Sequence, residues 1–274
     1  MQTTDDLRTS TRARSQGRVT ALLASVPVPV AIVVLLVTAV MSSHAALLVA
    51  VPVVGACVAW AVFARRTSMS VEHRVLGVFD AREATLDSHA RLHNVTEGLC
   101  LTLGVPKPRL MSLDSDALIA GAVAGPQSVG SLFVSSAFTD SMDRMEHEAV
   151  VAHLLVRLRS GDILARTTRI GWMDATVSIG LGGVIGRILD RSSQVQSPFE
   201  ADVAACQVTR YPPGLASALS KIARGVRAPE SLRKTVDLWV ADPGMGDTAG
   251  DSSVPSVEAP RLSTEERIDL LKEI

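Results

Sequence analysis

The chain has 274 residues, 27 basic against 28 acidic side chains and only 3% aromatic residues. That is enough for one modest domain plus membrane segments, and the charge is too evenly balanced for a chain built to hold nucleic acid. Its three cysteines, Cys57, Cys100 and Cys206, show no Cys-x-x-Cys spacing, so they point to buried thiols rather than to a disulfide framework or a zinc ribbon.

A basic tail (1–17) opens the chain. Residues 19–41 carry no charge, and at about 1.5 Å per helical residue they reach across a hydrocarbon core of roughly 30 Å. A second uncharged run, 45–63, follows after only Ser42, Ser43 and His44, so 18–64 reads as a tight transmembrane hairpin, kinked at Pro27, Pro29 and Pro52. Arg8, Arg12, Arg14 and Arg18 precede it and Arg65 and Arg66 follow it, which puts both chain ends in the cytoplasm. The second run follows the first too closely for a cleaved signal peptide.

Apolar residues recur at three- and four-residue steps from 71 to 103, as on an amphipathic helix that Gly104 ends. Within it, His89, His93 and Glu97 share one face at a spacing that suits a divalent metal. The same pattern arises easily on a solvated face, and that is the preferred reading. Residues 109–111 and 131–134 are short apolar runs bounded by Pro, Gly and Ser, as expected of strands in a small sheet. Helix, strands and then a helix around His153 make an α+β order, mainly helical.

The glycine-rich stretch 170–189 is about long enough to span a bilayer, but it carries Asp174 and is flanked by arginines on both sides. It is read as a buried or membrane-surface helix. Residues 215–226 form a further helix after Pro212-Pro213-Gly214, packed through Leu215, Leu219 and Ile222. A flexible linker (243–262), rich in Gly, Pro, Ser and Asp, leads to a C-terminal helix (263–274), where Ser263 and Glu266 form a capping box.

The segment His153-Leu154-Leu155-Val156-Arg157 holds the frame of a His-Glu-x-x-His helix with most of its chemistry replaced. Such a helix needs two imidazoles four residues apart, facing one metal, and a glutamate after the first as general base. Its flanks, Glu148-Ala149-Val150 before and Asp162 after, resemble the HtpX-type membrane zinc metallopeptidases. So do Phe199-Glu200-Ala201-Asp202, the run Leu103-Gly104-Val105-Pro106 through Ser115 to Ser136, and Leu238 to Pro243 with Glu265-Glu266-Arg267-Ile268. In register with that family, Leu154 stands for the base, Arg157 for the second zinc ligand and Pro198 for the third, with Asp202 one turn later.

The resemblance implies a metallopeptidase-like domain over 65–242, in a bacterial inner-membrane protein with several spans. None of Leu154, Arg157 or Pro198 can supply what its position requires. Losing a general base alone costs ~10²–10⁴ in rate. His147 lies about 120° around the helix from His153 and cannot share its ion, and Glu200 faces away from the ligand position. The expectation is therefore a pseudopeptidase with His153, Leu154, Arg157, Pro198 and Asp202 as vestigial positions. Zinc is expected only if His153 retains it; otherwise no cofactor is expected.

Such a protein acts by binding peptides, membrane-protein clients or an active homologous peptidase at the bilayer, with the edge around residues 118–136 as a place for an added strand. The alternative is an active membrane zinc endopeptidase with a rearranged site. Arg157 either replaces the metal's positive charge beside Asp202 or Asp162, or snorkels to solvent or lipid headgroups.

Overall fold

The computed structural model describes residues 43–177, 198–244 and 262–274. Helix α1 (Ser43–Val78) contains the second uncharged run, takes Pro52 into its interior, and continues past that run through Arg65, Arg66, Glu72, His73 and Arg74. No helix among the described residues is long and apolar enough to cross a membrane. The first uncharged run, 19–41, lies outside the described residues. The chain divides into two compact units, Met1–Ser70 and Val71–Ile274, and the elements that follow α1 all belong to the second.

The expected helix over 71–103 is two helices. The first ends at Val78, and Asp80 takes a left-handed conformation, φ 47°. The two-residue strand β1 (Arg82–Glu83) then pairs with the sheet before α2 (Ala90–Leu103) begins. Asp tolerates that conformation better than most residues, and three- and four-residue apolar steps on both sides of the break made it look continuous. Gly104, at φ 62°, caps α2 as its sequence position suggested.

Strands β2 (Arg109–Leu113), β3 (Ala120–Val123) and β4 (Ser131–Ser135) complete a sheet of order β1-β2-β4-β3. Strand β4 is parallel to β2 and antiparallel to β3. Side chains alternate across the pleat. Leu110, Leu132, Val134, Ala120 and Ala122 join the larger core with the helices, whereas Leu113, Phe133 and Val123 join a second cluster with Val75, Leu76, Phe79 and Trp239. The sheet is therefore covered on both faces, and Phe133 meets Phe79 with ring centres 4.4 Å apart.

The short helix α3 (Ser136–Ser141) leads into α4 (Arg144–Ser160), the central helix. Asp143 caps it and forms a reciprocal capping box with Glu146, and Gly161 ends it at φ 84°. From Ala149 to Leu155 every residue is buried, because α4 packs against α2, α5 (Asp162–Val177), α6 (Pro198–Thr209), α7 (Pro212–Arg224) and β3. A helix covered on all sides has no polar face to keep. Residues 170–177 are the end of α5, with Trp172 fully buried and Gly171 leaving no room for a side chain beside Val71; residues 178–189 lie outside the described residues.

Helix α7 buries Leu215, Leu219 and Ile222, as the apolar spacing required. A 3₁₀ helix (Glu230–Leu238), which the sequence did not suggest, precedes Trp239. The last helix, α8 (Thr264–Lys272), begins with the expected box between Ser263 and Glu266 and packs on α7. Cys100 and Cys206 are buried free thiols and Cys57 is half-buried. Burial pushes the Cys206 thiol up to about 11, so it is inert at neutral pH. Ile222, 1% exposed, sits where α7 meets the core, and Ile222→Ala should cost ~2–5 kcal/mol, read as a lower urea midpoint with an unchanged slope.

Candidate functional site

His153 and Arg157 lie one turn apart on α4 and are both buried, at 0% and 3% exposure. Helix α6 brings Asp202 against the first of them: His153 Nδ1 lies 2.8 Å from Asp202 Oδ1, with both side chains fully enclosed. That approach lacks the alignment of a good hydrogen bond, and Nε2 has no hydrogen-bond partner among the described residues. Pro198 opens α6 one turn before Asp202, half-buried. Leu154 points into the main core at 0% exposure.

Asp202 is neutralised by Arg267 of α8. The guanidinium donates from Nε to Oδ2 at 2.7 Å and from an Nη to Oδ1 at 2.8 Å, a bidentate fork. Its other Nη donates to the Val240 carbonyl at 3.0 Å. Burial alone would raise the Asp202 carboxyl, but Arg267 and then His153 outweigh it and hold the carboxyl below its ordinary range. For His153 burial is the larger effect: it pulls the imidazole below its ordinary value against the upward pull of Asp202. Burial thus favours the neutral ring, and the Arg157 and Arg267 cations act in the same direction.

Arg157 does not reach solvent or headgroups. Its Nε donates to Asp162 Oδ2 at 2.7 Å, and its two Nη groups donate to the carbonyls of Trp239 and Asp237 at 2.9 and 2.8 Å. Asp162 accepts a second guanidinium, Arg166 Nε, at 2.8 Å. Asp237 in turn faces Arg169 at 3.4 Å and Arg166 at 3.9 Å. Burial lowers the Arg157 pKa and Asp162 raises it, and a guanidinium with those acceptors remains charged. Of the two carboxylates that the sequence offered as its partner, the structure selects Asp162 and assigns Asp202 to Arg267.

The other candidates each have a local partner. His89 Nδ1 lies 2.7 Å from Ser88 Oγ, His93 Nε2 lies 2.7 Å from the Ala84 carbonyl, and Glu97 pairs with Lys107 at 3.0 Å. His147 Nδ1 is 2.9 Å from the Asp143 carbonyl one turn back. Among the described residues no three His, Cys, Asp or Glu side chains gather as a metal-holding set. Arg267 and the backbone of Leu238 to Val240 lie in segments matched in the sequence but given no role there. The matched Glu266-Arg267-Ile268 segment marked the place, but no local pattern names a partner 65 positions away.

The fold and site define a mainly helical α+β domain organised around a peptidase-type helix. The chain is 27% identical over 235 residues to a protease HtpX homologue of Dictyoglomus thermophilum, covering 72% of this chain and 74% of the relative. It is 23% identical over 257 residues to one of Bacteroides fragilis, covering 81% and 79%, and 24% identical over 194 residues to one of Tropheryma whipplei, covering 60% and 67%. No family model and no solved structure matches the chain. These similarities support a relationship to the HtpX-like protease family.

That family is normally zinc dependent, but the donors at His153 do not fit a zinc ion. The described residues offer there one imidazole, whose other nitrogen faces Asp202, and the adjacent ligand position holds a cation whose nitrogens all donate to other acceptors. Adding a divalent charge beside Arg157 and Arg267 would bring like charges together in a dry interior. No catalytic step is derived through the metal.

Removing one partner of a buried ion pair leaves the other uncompensated. Arg157→Met should destabilise the protein by ~3–5 kcal/mol in chemical denaturation, and Arg157→Lys should recover only part of this, since an ammonium cannot reproduce the fork. The His153 and Asp202 shifts also give the pH dependence a sign. Both groups bind a proton more readily unfolded than folded, so both contribute stability that is complete at high pH. Stability should begin to fall as pH drops below about 6.5, where an unfolded histidine charges, and fall again below about 3.9, where an unfolded aspartate does. Denaturation midpoints measured from pH 8 to 3 would show this; His153→Gln should reduce the upper step, and His147, shifted the same way by burial, accounts for what remains.

Proposed function

We propose that this chain is a membrane-anchored HtpX-like homologue that acts by binding extended peptide or protein segments rather than by cleaving them. The observation that carries this reading is the Arg157 guanidinium, buried and bonded at the position where the second zinc ligand of the motif belongs. A zinc-activated water needs an open metal position, and here charge balance is met without metal. The burial of Leu154 in the core supports the same conclusion, because the base position is committed to packing. Membrane anchoring rests on the uncharged runs 19–41 and 45–63 with their basic flanks. Both ends would then face the cytoplasm of a bacterial cell, close to membrane-protein clients or an active homologous peptidase.

The protein purified in detergent should contain substoichiometric zinc by elemental analysis and leave casein uncut. Stoichiometric zinc that disappears in His153→Ala, together with casein cleavage, would overturn the proposal. It would establish instead a zinc endopeptidase working through the unpartnered His153 Nε2.

A further inference from the structure

We infer that this chain's own segment Asp237 to Val240 occupies the outer edge of β3 as a built-in strap, and that a ligand strand reaches that edge only by displacing the segment. The inference rests on the peptide-binding reading above and says what controls access to the edge.

Strand β3 closes one side of the sheet, with β4 as its inner neighbour, so its outer backbone groups would be free to template another strand. They are engaged by residues more than a hundred positions on. The Val240 N–H donates to the Ala120 carbonyl at 3.0 Å, and Gly121 and Trp239 form an antiparallel bridge. Trp239 itself is extended, φ −88° and ψ 166°. Gly121 makes the approach possible: a Cβ there would lie 2.8 Å from the Leu238 carbonyl oxygen. The opposite edge of the sheet, β1, has only two residues, both charged and exposed, which discourages strand addition.

The pairing along β3 is short, and a segment held by so few sheet hydrogen bonds would fray unless something else fixed it. The arginines of the former metal site provide that. Arg157 holds the Asp237 and Trp239 carbonyls, and Arg267 holds the Val240 carbonyl. Three backbone oxygens on one strap thus accept charge-assisted hydrogen bonds from two buried guanidiniums, each anchored to its own aspartate. A covalently attached occupant has an effective concentration near the millimolar range, so the strap excludes weak ligands and yields to those that compete above that level. The ligand class is an extended polypeptide with small or aliphatic residues facing the sheet, since Ala120, Ala122 and Val123 are buried there.

The test uses Val240→Pro, which removes the N–H given to Ala120; Trp239 already has the extended backbone that precedes proline. The probe is a fluorescein-labelled peptide with the sequence of residues 235–242, Thr-Val-Asp-Leu-Trp-Val-Ala-Asp, which supplies the lost strand in trans. Binding is read by fluorescence anisotropy on the full chain in detergent. Deuterium uptake of residues 236–242 and the denaturation midpoint, taken in parallel, report strap release and folding. The expected result is no saturable binding to the unaltered protein and at least ~10-fold tighter binding to the variant, with faster uptake confined to the strap.

A folded variant with a released strap that binds no more peptide than the unaltered protein overturns the inference. Equal, saturable binding by both proteins also overturns it, while leaving the peptide-binding reading in place. Zinc content and casein cleavage judge that reading separately. If Val240→Pro does not fold, Val240→Ala with Arg157→Lys loosens the same strap while keeping the N–H and the buried charge, and the same comparison of uptake and binding decides.

Discussion

The domain depends on one buried guanidinium. Arg157 projects from a largely buried helix, and in such a place a cation is tolerated only when its nitrogens find acceptors. Those acceptors come from three places: Asp162 at the start of α5, and the Asp237 and Trp239 carbonyls 80 and 82 positions along the chain. The requirement ties α4, α5 and the strap into one arrangement. None of the three can move without stranding a charge or exposing backbone groups in a dry interior.

A second ion pair repeats the logic one turn along α4. Asp202 is enclosed beside His153 and takes the Arg267 fork, which draws α8 onto α6 and reaches the same strap at Val240. Burial holds the His153 imidazole below its ordinary pKa between them. The aspartates and arginines thus balance one another around His153 and Arg157. Similarity of sequence and of a helix position does not by itself carry an activity.

The strap gives that balance a structural consequence. The arginines do more than fill the space: their remaining N–H groups close the sheet edge with the chain's own backbone. Strand edges that would otherwise invite pairing are commonly covered, and here the cover is held from the site itself. Stability and access to the edge are coupled through the same few hydrogen bonds, so any change that loosens one loosens the other.

What the sequence by itself determined is local. The caps at Gly104 and Ser263, the apolar stripe of α7, the strands near 109 and 131 and the helix around His153 all follow from spacing and from residues that favour particular backbone conformations. The ordered resemblance to one family pointed to the helix around His153. Strand β3 was not visible as a strand, because Ala-Gly-Ala-Val has little strand character of its own and is a strand only between β4 and the strap. The break at Asp80 was hidden for the related reason that apolar steps continued across it. Tertiary structure alone decided the pairing of charges: Arg157 with Asp162, Arg267 with Asp202, and both with carbonyls of the strap. A carboxylate in sequence looks equally available to every arginine, and only packing sets which one lies within reach when water has been excluded.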